Sequence, residues 1–240
     1  MATKPALVAR LRDHKFYLSM AIFAAVVVFA GFARTFFLNS FFARLTLPRL
    51  YVFHGIVFSS WIVLLVTQAA LISSRKVRVH RLLGYAAIAL VVLMIVVGLT
   101  MAVRSVQRGF SPPGAPPPHT FMVIPVGDIA VFTVLISLAF WYRNRTETHK
   151  RLMLFGTLAI LPAATARILF LFTTSAVLLL AYVFSFVVML GCMMYDYVNH
   201  KRVHPAYLWA ALFFAVSVPL RMYIGGTAAW ISFAHWITGT

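Results

Sequence analysis

Residues 82–103 read LLGYAAIALVVLMIVVGLTMAV. This run of 22 residues holds no charged side chain and is bounded by His80-Arg81 on one side and Arg104 on the other. An α-helix rises about 1.5 Å per residue, so such a run crosses the roughly 30 Å of a bilayer's hydrocarbon core. Working outward, the pattern recurs, and spans are expected at 16–38, 50–73, 120–142, 151–172, 174–196 and 205–224 besides 82–103. Residues 225–240, with Trp230, His235 and Trp236, are too short to cross and read as an interfacial segment with aromatic anchors. The expected fold is one transmembrane domain over 1–240, an all-α seven-transmembrane-helix bundle.

Composition agrees. Hydrophobic residues make up 62% of the 240 and charged residues 10%, too little charge to clothe a soluble surface. There are 21 Lys and Arg against 4 acids, a net charge of +17. The bases sit in short clusters between apolar spans, where insertion rules and anionic lipid account for them. The partner read from this charge is therefore the lipid bilayer, and a nucleic-acid partner is set aside. If the N-terminus is cytoplasmic, 14 of the 21 bases fall on that side, among them Lys4, Arg10, Arg75, Lys76, Arg145 and Arg202. That excess predicts an N-in/C-out orientation. Cys192 is alone, which excludes a disulfide or a thiolate zinc site within the chain. The first apolar run is too long for a signal-peptide core, so no cleavable leader is expected.

Charged groups inside spans are costly and count as functional candidates. Asp128 is the one acid expected well inside a span, about 12 Å from the outer boundary at 1.5 Å per residue. His54, Arg167 and Arg221 are expected at comparable depth on three other spans. Together they predict an outward-facing polar pocket in which Asp128 neutralises one arginine and leaves a net positive site. Guanidinium groups bind oxyanions in a fork, so the ligand expected is small and anionic or amphipathic. Gly55 and Gly127, each next to one of these residues, permit close helix approach. Pro162 and Pro219 are expected to loosen the helices that carry the two arginines. The proline-rich stretch 111–118 is expected as extended polyproline chain on the outer side.

A second pattern lies at the helix starts facing the cytoplasm. His14, His80, His149 and His204 recur at intervals of 66, 69 and 55 residues. If His80, His149 and His204 converge, imidazole suits a metal or an axially ligated heme. Gly84, one turn after His80, and Gly156, two turns after His149, would give clearance for a porphyrin. Asp196 is expected to pair with nearby bases such as Arg202. The last span holds Arg221 and no lysine, which excludes a retinal Schiff base of the microbial-rhodopsin type. Nucleotide-binding loops and serine nucleophile elbows are missing.

His54-Gly55, Val79-His80-Arg-Leu-Leu-Gly84, His149-Lys-Arg-Leu-Met153 with Pro162 and Arg167, and Arg202-Val-His-Pro-Ala-Tyr-Leu-Trp209 resemble a widespread group of uncharacterised bacterial multi-spanning inner-membrane proteins. The likeness runs over most of the chain from His54 onward and implies a bacterial inner-membrane location. The His-Arg-Leu-Leu-Gly piece is also similar to helix starts in cytochrome b561-like membrane proteins, which implies heme held by histidines within spans. Here most histidines stand at interfaces instead. Three functional classes follow. The leading one is a binding, transport or accessory protein, not an enzyme, using His54, Asp128, Arg167 and Arg221. The others are a heme- or metal-dependent electron-transfer or oxidase-assembly protein, and a membrane enzyme with His54 and Asp128 as acid–base pair. A homo-oligomer or a larger membrane complex is compatible with each.

Overall fold

The computed structural model of the protein describes residues 4–42 and 44–240, with side chains from residue 11 onward. The side chains of Lys4 and Arg10, counted above, thus lie outside the described ones. All regular structure described is helical: α1 (Lys4–Phe32) running into a π-helical turn (Ala33–Phe37), α2 (Asn39–Phe42), α3 (Arg49–Ser73), α4 (Val77–Gln107), α5 (Pro118–Phe121), α6 (Val123–Trp141), α7 (Thr146–Leu158), α8 (Pro162–Leu169), α9 (Val177–His200), α10 (Pro205–Gly225) and α11 (Ala228–Thr238). Seven helical segments are long and apolar enough to cross a membrane: Leu11–Phe37, Arg49–Ser73, Val77–Gln107, Pro118–Trp141, Thr146–Leu169, Val177–His200 and Pro205–Gly225. They match the seven expected spans, and 225–240 forms the short helix α11 instead of an eighth crossing. The end of the bundle that carries the α3–α4, α6–α7 and α9–α10 connections is called proximal below, and the opposite end distal.

Prolines place the breaks. Pro162 has no N–H to continue the helix, and the turn before it tightens to three-residue spacing, with Ile160 N donating to Thr157 O at 3.3 Å and Leu161 N to Leu158 O at 3.2 Å. The fifth span is therefore two helices, α7 and α8. Pro125 acts likewise at the α5–α6 junction, where Met122 separates the two helices. Pro219 breaks nothing, because α10 continues through it. The stretch 111–118 does not stay extended along its length. Gly114 adopts φ +71° in a turn closed by Ala115 N donating to Pro112 O at 3.0 Å. A left-handed backbone of this kind is open to glycine without strain. A side chain there would also meet Thr174 O at 3.1 Å, so this connection lies against the α8–α9 connection.

The span made of α7 and α8 is the central one: 67% of its apolar window is buried, against 17–44% for the others. Phe155, Leu158 and Leu161 are its fully buried core side chains, packed with Tyr207, Phe214 and Met189. A second cluster, with Trp61, Met94, Phe132 and Ile136, joins α3, α4 and α6. Exposed aromatics mark both interfaces of a membrane protein. Tyr85, Trp141 and Trp209 ring the proximal end, and Phe41, Tyr223 and Trp236 the distal end.

Glycine permits a close helix contact. A Cβ at Gly31 on α1 would lie 2.4 Å from the backbone oxygen of Ala164 on α8, whereas at Gly84 it would meet nothing within 4 Å. Gly31→Ala is expected to lower stability by about 1–3 kcal/mol through overpacking. Gly84→Ala is expected to be neutral or stabilising by up to about 1 kcal/mol, as for a half-buried helical glycine with open space for a methyl group. Denaturant unfolding of the two variants in detergent checks this.

Candidate functional site

At the distal end the four residues expected to form one pocket separate into two groups. Asp128 on α6 and Arg221 on α10 form an ion pair, Nη1 to Oδ1 at 2.5 Å. Tyr182 on α9 donates its hydroxyl to the same Oδ1 at 2.8 Å and accepts from Arg221 Nη1 at 3.1 Å. The guanidinium folds back on its own helix, Nη2 to Ser217 Oγ at 2.8 Å and Nε to Ser217 O at 3.1 Å. Gly127 makes the room, since a Cβ there would stand 2.9 Å from Arg221 Nε. Arg221 is 4% exposed, and all three of its nitrogens donate to protein oxygens. Four of its five N–H groups are thus engaged, and burial shields the guanidinium from a ligand. The pair is a buried strut across three helices.

His54 and Arg167 lie apart from this strut. His54 on α3 packs on Phe58, ring centroids 4.2 Å apart, and its Nδ1 is buried with no hydrogen-bond partner. It makes no hydrogen bond or ion pair with Asp128, so the acid–base pair expected of an enzyme is not assembled. Arg167 on α8 lies over Phe32, 4.2 Å from the ring centroid, and donates from Nη1 to Ala163 O at 2.6 Å. Among the described residues no carboxylate pairs with it. It is close enough to His54 for the two to interact electrostatically.

The π-helical turn lies between them. Its i to i+5 bond runs from Leu38 N to Ala33 O at 2.8 Å. Phe32 at the start of the turn carries Arg167, and Phe36 inside it fills the notch at Gly55, where a Cβ would lie 2.4 Å from the ring. Such wide turns recur at functional sites. The arrangement can bind an anion: four guanidinium N–H groups of Arg167 have no protein acceptor, and the His54 ring stands nearby.

At the proximal end the three histidines do not gather as one set, although His80 and His149 are close enough to interact electrostatically. Among the described residues no three His, Cys, Asp or Glu side chains form a group able to hold a metal ion. His204 is spent on structure: its Nδ1 accepts from Ala206 N at 3.1 Å as the cap of α10, and its own N–H donates to Asp196 Oδ2 at 2.9 Å. His149 Nδ1 donates to Ala139 O at 2.8 Å, which leaves the lone pair on Nε2. His80 Nδ1 is buried without a partner.

The sequence reading missed the network that does form there. Arg151, 3% exposed, binds Asp196, 1% exposed, through Nε at 3.2 Å and through a short Nη2 to Oδ1 contact. Asp196 thus pairs with Arg151 and His200, not with Arg202. Arg151 also reaches Glu147 at 2.6 Å, and Lys150 bridges Glu147 at 2.8 Å and Asp13 of α1 at 2.7 Å. Tyr195 donates to Asp13 at 3.1 Å. Three acids, from α1, α7 and α9, therefore lock the proximal ends together. One signal was available, because Glu147 and Arg151 stand four residues apart on one helix.

No protein-family model, curated protein or solved structure matches the chain.

Two outcomes follow. Asp128→Asn leaves the Arg221 charge buried without its counter-charge and is expected to cost about 3–5 kcal/mol, whereas the double change Asp128→Leu with Arg221→Met is expected to recover most of it. Unfolding in detergent compares the two. His204 must be neutral to accept from Ala206 N. Burial, and then the Arg151 charge, hold its pKa below the usual imidazole value. A base whose folded pKa is depressed is stabilising above its unfolded pKa, about 6.5, and loses that stabilisation as pH falls below it. Melting temperature is expected to decline on acidification from pH 7 to 5, and more steeply in wild type than in His204→Asn, which keeps a capping side chain.

Proposed function

We propose that the chain is a multi-pass protein of the bacterial inner membrane, N-terminus cytoplasmic, that binds a small anionic or amphipathic molecule from the outer side. It serves in transport or as an accessory protein and not as an enzyme. Kinship with the bacterial inner-membrane group named above belongs to the same reading. The single observation that carries it is the charge balance at the distal end: Asp128 is consumed by Arg221, and Arg167 keeps its charge with no carboxylate among the described residues. Arg167 is exposed near the distal end of its span, and a cation there without a counter-charge is a candidate to bind an anion. The ligand set is thus His54 and Arg167, with Asp128 and Arg221 as the strut beside them.

The test is thermal stabilisation of the purified protein by decanoate and by inorganic phosphate. A saturating ligand near 100 times its Kd adds about 2.7 kcal/mol, or a rise of about 5–10 °C for a chain of this size. The rise is expected to vanish in Arg167→Ala and to persist in Arg202→Ala, an exposed control at the opposite end. Equal rises in both variants, or none in wild type, would remove the reading.

A heme-dependent role has one observation in its favour. His149 directs a lone pair from Nε2 while its Nδ1–H is held by a carbonyl, the arrangement metal-ligating histidines adopt. Oxidised and dithionite-reduced absorption spectra of protein purified in mild detergent decide it. A Soret band lost in His149→Ala would replace the first reading, and a colourless protein would leave it standing.

A further inference from the structure

An open apolar groove of about 660 Å³ runs between α3 and α4. Phe36 and Phe37 close its distal end, and Thr67 and Leu83 stand at its proximal mouth. It faces away from the His54 side of α3, because Ile56, Ser60, Val63 and Thr67 lie on the opposite face of that helix from His54, Phe58 and Trp61. Of its three hydroxyls, those of Ser59, Ser60 and Thr67, the last two are satisfied within α3, Ser60 donating to Ile56 O and Thr67 to Val63 O, each at 2.8 Å, and the other lining side chains are apolar. The walls thus present apolar surface. From Ile56 to Thr67 the groove follows α3 for about 16 Å, roughly one leaflet of a 30 Å core, which is the reach of one acyl chain.

The proximal mouth supplies the second half of the site. Arg75, Lys76, Arg78 and Arg81 cluster at this turn, all exposed. No acid offsets them: Asp13, Glu147 and Asp196 are engaged with Lys150, Arg151 and His200, and Asp128 with Arg221.

We propose that this groove holds one acyl chain of an anionic phospholipid drawn from the leaflet that meets the α3–α4 turn. The phosphate lies among Arg75, Lys76 and their neighbours, and the chain runs toward Phe36. This site is independent of the distal pocket and stands or falls separately from it.

Native mass spectrometry of the full-length, delipidated protein tests it, with palmitoyl-oleoyl phosphatidylglycerol titrated against the matching phosphatidylcholine. Two cations near a membrane surface favour the anionic lipid by roughly tenfold to thirtyfold. That preference is expected to collapse in the double variant Arg75→Gln, Lys76→Gln. Ala86→Trp, at an exposed position lining the groove, is expected to reduce binding of both lipids, with Ser60→Phe as a second plug should the first lose its helical melt. Equal binding of the two lipids, a preference untouched by the glutamines, or binding untouched by both plugs would each overturn the proposal.

Discussion

A carboxylate among membrane helices cannot stand alone, since removing its partner leaves a buried charge at a cost of several kcal/mol. Asp128 meets this constraint by accepting from Arg221 and Tyr182 at once, which ties α6, α9 and α10 together. The consequences spread from there. Gly127 must remain small because the guanidinium lies against it, and Arg221 must stay folded on Ser217. Arg167 then has no acid left to pair with at that end.

The proximal end obeys the same rule with a different solution. Three acids and their bases form a network from α1 to α7 to α9, and its most buried member, the Arg151–Asp196 pair, also caps the chain entering α10 through His204 N. Arg151 lies over the Tyr207 ring, and Tyr207 shares a hydroxyl contact with Tyr17 at 3.1 Å. The four acids of the chain are thus all engaged, two sets at opposite ends of α9, whose inward face runs Tyr182, Ser185, Met189, Cys192 and Asp196. Charge at either end and apolar packing between them fit a bundle whose middle lies in hydrocarbon.

The spans were legible because hydropathy needs only a local window. The distal strut was legible in part: an intramembrane acid beside two arginines had to neutralise one of them, but which one depends on helix rotation, and sequence distance does not encode that. Tyr182 could have been found, since a tyrosine buried in an apolar span requires a partner for its hydroxyl. Asp196 was misread for the opposite reason. Arg202 is near in sequence, yet Lys201 turns the chain through φ +57° and leaves Arg202 exposed, while Arg151 arrives from 45 residues away. The π-helical turn at Ala33–Phe37 lies between Gly31, which meets Ala164 of α8, and Phe36, which meets Gly55 of α3, contacts that no local sequence window contains.

The central claim is that the two distal arginines differ: Arg221 is sealed and Arg167 is available. Side-chain ¹⁵N NMR of the arginine guanidinium groups in detergent, assigned by Arg→Lys variants and followed through a decanoate titration, separates them directly. The account predicts a slowly exchanging Arg221 signal that does not move and an Arg167 signal that exchanges quickly and shifts with decanoate. A shift confined to Arg221, or an Arg167 signal indifferent to the anion, would contradict it.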